Sequence, residues 1–186
     1  MRVVLTGASG QLGAYVRARL IGEGHSVTSW SGGRIVEGMS SVDLTDVVAT
    51  ARALAEADPE VIMHTAAIST ADEVRRDPSR GRAVNVEGTA RLAEWCRRHG
   101  RRLVYTSTDL VFGGSRAWNR EDDPAEPVLM YGRTKFDGES PVLSVAGGLV
   151  ARLFSRPADG AKFHPAGCLM SILGAAALLL AWKMMH

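Results

Sequence analysis

The sequence predicts an α/β protein built on a doubly wound parallel sheet, and three observations carry that prediction. Short apolar runs alternate with segments of helical periodicity from Arg2 to Phe154, the order that βαβ units produce. A glycine-rich turn follows the first run at once, at Gly7. Composition agrees: of 186 residues 46% are hydrophobic and 23% charged, with 22 Lys and Arg against 20 Asp and Glu. That balance excludes a disordered tail, a collagen-like chain and a strongly basic nucleic-acid binder. The two cysteines, Cys96 and Cys168, stand far apart in no metal-binding spacing, so neither a disulfide framework nor a zinc site is indicated, and a reducing cytoplasm fits best. No export signal is visible, because the chain turns glycine-rich before an apolar core could form.

Each element follows in order. Residues 2–6 are an apolar strand stopped by Gly7. From Gln11, Leu12, Val16 and Leu20 recur four apart, a helix that Gly22 and Gly24 end. Ser26 to Trp30 alternates as a second strand, and Val42-Asp43 reads as the end of a short third one. A helix is expected over 46–57, then the strand Val61 to His64 after Pro59. A long helix is expected from Arg82 to His99, with Val86, Leu92, Ala93 and Cys96 on one side and Gly100 as its cap. Arg102 to Thr106 and Gly148 to Phe154 are further strands, and the charged, proline-rich loop 113–127 is long enough to border a ligand site.

Three constellations carry chemistry. Thr6-Gly7-Ala8-Ser9-Gly10-Gln11-Leu12-Gly13 places glycines three apart between a strand and a helix. The first permits the tight turn, the second lets backbone approach a pyrophosphate, and the third lets helix and strand pack closely. The helix N-terminus adds unpaired N–H donors, so Gly7, Ser9, Gly10, Gln11, Leu12 and Gly13 form the expected dinucleotide cradle. At the tip of the second strand Ser29, Trp30 and Ser31 are not acidic, while Arg34 follows closely. An acidic residue there would bind a ribose, whereas an arginine suits a 2′-phosphate, so NADP(H) is favoured and NAD(H) remains the alternative. If Arg34 is only a solvated loop charge, Asp43 and Leu44 contact the adenine end with either cofactor.

The third constellation joins the strand end Thr106-Ser107-Thr108-Asp109 to Tyr131-Gly132-Arg133-Thr134-Lys135. Tyr and Lys four apart share a helix face, and a neighbouring cation favours the phenolate, lowering the tyrosine pKa. A hydroxyl such as that of Thr108 can hold a substrate carbonyl against the phenol.

Taken together, TGASGQLG, VDLTD, HTAA, VNVEGT, YTSTDLVFGG and YGRTK, in this order, resemble the extended short-chain dehydrogenase/reductases. Ser107 to Gly113 is most similar to their dTDP-4-dehydrorhamnose reductase branch. The resemblance covers residues 1–156 and implies a Rossmann-like domain there, with 157–186 as an atypical apolar tail. It implies Thr108 as the carbonyl-orienting hydroxyl and Tyr131 as proton donor. Lys135 would bind the nicotinamide ribose, Ala66 and Ala67 would line the cofactor cleft, and Asn85 would play a supporting part. Asp109 matches the motif without an assignable step. The implied reaction is NAD(P)H-dependent reduction of a nucleotide-linked 4-keto-6-deoxy sugar.

Two other classes stay open: a nucleotide-sugar epimerase or dehydratase that recycles the hydride on tightly held NAD, and a non-catalytic regulatory protein of the kind that serves methionine adenosyltransferase. A homodimer is compatible with the resemblance, and no nucleic-acid partner is expected.

Relatives implied by the resemblance continue into a substrate-binding region, so that region is expected to be largely missing here. Residues 163–182 carry no formal charge, which sits at the lower edge of a membrane span. A frameshifted or prematurely ended gene is the favoured account of this tail, ahead of a membrane anchor or a helix capping the sheet. His25, His99, His164 and His186 have no ligand spacing, His64 at a strand end is assigned no catalysis, Trp95 reads as core, and Trp118 falls in the long loop.

Overall fold

Val3, Val4 and Leu5 are all buried, as a strand covered on both faces requires. They belong to β1 (Arg2–Thr6), the first of five parallel strands in a computed structural model that describes residues 1–114, 119 and 123–153. The chain then forms α1 (Gln11–Gly22), β2 (Ser26–Trp30), α2 (Val47–Ala57) and β3 (Val61–His64). After these come α3 (Ala71–Arg76), α4 (Pro78–Arg82), a π-helical turn (Ala83–Gly88) and α5 (Thr89–His99). β4 (Arg102–Thr108), a 3-10 turn (Asp109–Val111), α6 (Met130–Leu143) and β5 (Gly148–Leu153) complete the described fold.

The strand order is β2-β1-β3-β4-β5. β1 therefore has β2 on one side and β3 on the other, paired Thr6 with Trp30 and Thr6 with His64. The direction of winding reverses between β1 and β3, and in such sheets the crevice at the strands' C-terminal ends is where ligands bind. Side chains from both faces fill the core. Val4, Trp30, Leu54, Ile62, Leu92, Leu103, Tyr105 and Val142 form one cluster, under α2, α5 and α6. Val3, Leu5, Val16, Leu20, Val61 and Met63 form the other, under α1.

The expected strands and most helices are present, with three differences. Val42-Asp43 is not a strand. Only Ser40 bridges to Trp30, and then Val42 and Leu44 are drawn into the core while the Asp43 carboxylate accepts from Thr45 N at 2.9 Å, turning the chain towards α2. The single helix expected from Arg82 to His99 begins earlier and contains the π turn. α3 is additional to the expected elements; Thr70 caps it by accepting from Glu73 N at 3.2 Å, and the same hydroxyl donates to Glu73 Oε2 at 2.7 Å. Leu153 closes β5, and Phe154 with the 157–186 tail lies outside the described residues, as do Trp118, His164, Cys168 and His186. Among the described residues no helix is long and apolar enough to cross a membrane.

The helix ends behave as the residues dictate. Gly100 terminates α5 at φ 60, and Asp46 caps α2 by accepting from Ala49 N at 2.9 Å. Asp46→Ala is expected to lower stability by about 1 kcal/mol, readable as a shift in the urea midpoint at unchanged m-value.

Candidate active site

The glycine turn is built at the point where the winding reverses. Gly7 has φ +70, and a Cβ on it would stand 2.6 Å from Ala66 N, so β1 and the segment after β3 touch backbone to backbone there. Gly10 N donates to Gly7 O at 2.9 Å, closing the turn. A Cβ on Gly13 would lie 2.0 Å from Gly7 O, which leaves hydrogen as the only substituent that lets α1 approach this closely. No side chain caps α1, and its first turn holds no acidic residue, so the positive end of the helix faces the turn that contains Ser9. The cradle fits a pyrophosphate by its shape and by its field.

Arg34 folds back onto this turn, its Nη2 donating to Ser9 Oγ at 3.3 Å. The loop that carries it is held by Ser31 Oγ, which donates to Arg34 O at 2.5 Å. Arg34 is exposed, and its guanidinium rests against the cradle through this one contact. Asp43 is exposed and Leu44 buried. The Asp43 carboxylate is held below its usual range, first by the Thr45 backbone N–H and then by the Thr45 hydroxyl.

Ala66 and Ala67, both partly buried, sit on the segment beyond β3, where Ala66 N donates to Thr6 Oγ1 at 3.2 Å. Asn85 holds this segment from the π turn. Its Oδ1 accepts from Ile68 N at 2.8 Å, and its Nδ2 donates to Ile68 O at 3.1 Å and to Thr134 Oγ1 at 3.0 Å. One amide thus ties the cleft wall to the helix that carries Tyr131 and Lys135. His64 is buried completely and pins the same wall. Thr6 Oγ1 and His64 Nδ1 are 2.7 Å apart, and His64 Nε2 and Thr89 Oγ1 are 2.9 Å apart. Because Thr89 Oγ1 donates to Asn85 O at 2.8 Å, it accepts from Nε2–H, which leaves Nδ1 to accept from Thr6. Burial, with the Lys135 charge, pulls the His64 pKa down to about 3, so the ring is neutral.

Of the candidate acid–base residues, Thr108 closes β4 and Tyr131 and Lys135 stand on α6. A Cβ on Gly132 would stand 2.2 Å from Leu110 O, and this close approach sets α6 against the strand end. The Thr108 side chain acts on the Tyr131 phenol, and Thr108 Oγ1 donates to Asp109 Oδ1 at 3.2 Å and accepts from Leu110 N at 3.3 Å. Burial raises the Tyr131 pKa above its ordinary value, against the Thr108 hydrogen bond and with the help of the Asp109 charge.

Here the structure corrects the expectation that Lys135 lowers the tyrosine pKa. The Lys135 ammonium lies over the Tyr105 ring, 4.1 Å from its centroid, and burial dominates at Tyr131. Lys135 is itself 2% exposed, and burial brings its pKa down to about 7 against the opposing charge of Glu139. Sequence reasoning missed Glu139, Arg152 and Thr89; Glu139 follows Lys135 by four residues, and that spacing alone marks it as a neighbour.

A parallel sheet with a glycine cradle where its winding reverses, with a hydroxyl at the end of β4 and a tyrosine and a lysine on the helix packed beside it, is the architecture of a Rossmann-like dinucleotide-binding protein. Residues 1–154 match the family model described as the RmlD substrate binding domain, and the chain belongs to that family. It is 41% identical over 146 residues to a dTDP-4-dehydrorhamnose reductase of Streptomyces griseus, covering 77% of this chain and 45% of that one. It is also 34% identical over 142 residues to methionine adenosyltransferase 2 subunit beta of Pongo abelii, covering 76% and 42%. A crystal structure of dTDP-4-dehydrorhamnose reductase from Bacillus anthracis in complex with NADP superposes with a TM-score of 0.71 at 27% identity, covering 81% of this chain and 52% of that one. The chain spans about half the length of the curated relatives it matches.

Proposed function

We propose that residues 1–156 are a dinucleotide-binding domain, with 157–186 outside it, and that this domain binds NADP(H) and carries the acid–base residues of a nucleotide-linked 4-keto-6-deoxy sugar reductase. One observation carries the reading: the sheet that holds a cradle only glycine permits also carries Thr108 at the end of β4, with Tyr131 and Lys135 on the helix packed against that strand. The names of the relatives agree with it. A reduced nicotinamide, when bound, supplies the hydride for a carbonyl carbon.

This chain's residues do the rest. Thr108 Oγ1 orients the carbonyl oxygen, and the Tyr131 phenol gives that oxygen its proton. The raised Tyr131 pKa keeps the phenol protonated, the state a donor requires. Lys135, whose resemblance-based role is to hold the nicotinamide ribose, stands one turn along the same helix. Gly7, Ser9, Gly10, Gln11, Leu12 and Gly13 cradle the phosphates, Ala66 and Ala67 line the cleft, Asn85 braces it, and Asp43 and Leu44 border the adenine end. A cytoplasmic location belongs to the same proposal and agrees with the free, buried thiol of Cys96.

Cofactor choice falls to Arg34. Arg34→Gln is expected to weaken NADPH binding ~10-fold while leaving NADH nearly unchanged, as removal of a charge-assisted phosphate contact requires. Equilibrium titration of both cofactors checks it; equal losses for the two would assign Arg34 to the fold of its loop instead.

A further inference from the structure

Behind Tyr131 and Thr108 lies a buried ionic cluster that the reaction as proposed does not use. Glu139 is 2% exposed and stands on α6 one turn beyond Lys135 and two beyond Tyr131, so the three share a face. Its Oε1 accepts from Ser107 Oγ at 2.6 Å and from Arg152 Nε at 3.1 Å, and its Oε2 accepts from Arg152 Nη2 at 2.7 Å. Ser107 immediately precedes Thr108 on β4, and Arg152 is its registered neighbour on β5. One carboxylate therefore joins α6, the strand end with the candidate hydroxyl, and the next strand. Above it, Lys135 rests on the Tyr105 ring, whose hydroxyl donates to Lys135 O at 3.2 Å. A buried ion pair is costly relative to an apolar replacement and is poor grounds for stability alone, so a role in the site is the better account of its presence.

We propose that Glu139 is a positioning residue of the site: its carboxylate fixes the Ser107–Thr108 strand end through Ser107 and Arg152, and its charge, one turn below Lys135, holds that buried side chain as an ammonium. The inference deepens the reading of Thr108, Tyr131 and Lys135 as the reacting set and rests on it. The groups that act on Lys135 are Glu139 on α6, Tyr105 on β4 and the neutral His64 on β3. Those around Glu139 are Ser107, Arg152, Tyr105 and Lys135. Asp109 acts on Tyr131, and Asp137 is engaged by Arg82 on the exposed side of α6.

The sign is then fixed. Burial favours the neutral amine and Glu139 opposes it, so removing the carboxylate lowers the Lys135 midpoint below about 7, and removing the arginine that neutralises Glu139 raises it.

The chain has three lysines, Lys135, Lys162 and Lys183, so Cε-labelled lysine gives few enough resonances to follow Lys135 by NMR against pH in the full chain without cofactor. In Glu139→Gln the midpoint is expected to fall by about one pH unit or more, and in Arg152→Gln it is expected to rise. An unmoved midpoint in folded Glu139→Gln overturns the proposal. Should that variant not fold, an unmoved or lowered midpoint in Arg152→Gln does the same. The titration needs no turnover, so an inactive wild type with the expected Lys135 shifts would remove the reductase reading while upholding the place of Glu139.

Discussion

Tyr131→Phe is expected to cut turnover of a keto-sugar substrate by about 10²–10⁴-fold, the usual contribution of a positioned acid or base. In the proposed reaction the phenol protonates a carbonyl oxygen held by Thr108. Phenylalanine keeps the ring that packs there and loses only the hydroxyl. Cofactor affinity is therefore expected to stay within about twofold of wild type, because the glycine cradle and Arg34 are untouched. Steady-state rates and an NADPH titration on the same preparation separate the two effects. Unchanged turnover would remove Tyr131 from the chemistry, and a parallel loss of cofactor binding would make its part structural.

Gly13→Ala is expected to have the largest effect on the fold. The added Cβ would stand 2.0 Å from Gly7 O and 2.7 Å from Gly7 C, and both atoms belong to backbone already tied by Gly10 N at 2.9 Å. Relief requires α1 to move away from β1, at a cost of about 3 kcal/mol, the upper end for overpacking. The same displacement opens the cradle, so NADPH binding is expected to be lost even in folded protein. Gly22→Ala is the matched control. It lies at the end of the same helix, its Cβ would meet nothing within 4 Å, and it is expected to be neutral or to stabilise by about 0.5–1 kcal/mol. Denaturant midpoints of the two variants check the contrast.

The strands and the cradle were legible in the sequence because the signals that mark them are local. Apolar runs such as Val3-Val4-Leu5 and Val61-Ile62-Met63 mark strands buried on two faces, and the glycines sit where one strand meets one helix. Thr108, Tyr131 and Lys135 were legible because each is read from a strand end or a helical spacing. Thr70 with Glu73, and Asp77 before Pro78, are sequence signals for α3 and α4 that a reading by apolar period passes over, since only Val74 of α3 is buried. The π turn left no such trace. Its work, through Asn85 and Thr89, depends on partners as distant as Thr134 and His64. The Tyr131 pKa ran opposite to expectation for the same reason: spacing places Lys135 on its face, but only the packed sheet reveals Tyr105 beneath the ammonium. The Glu139–Arg152 pair joins α6 to β5 and required the strand order to be seen.

The turn at Gly7–Gly13, with Arg34 against it, is proposed to bind NADP(H). Titration of the purified, folded chain with NADPH and NADH tests it most directly, following quenching of protein fluorescence and energy transfer to the nicotinamide. Trp30 is well placed to report, since its backbone carbonyl accepts from Ala8 N at 3.0 Å, inside the turn. Saturable binding with NADPH tighter than NADH is the predicted result. A folded chain that shows no saturable quenching with either cofactor would contradict the claim.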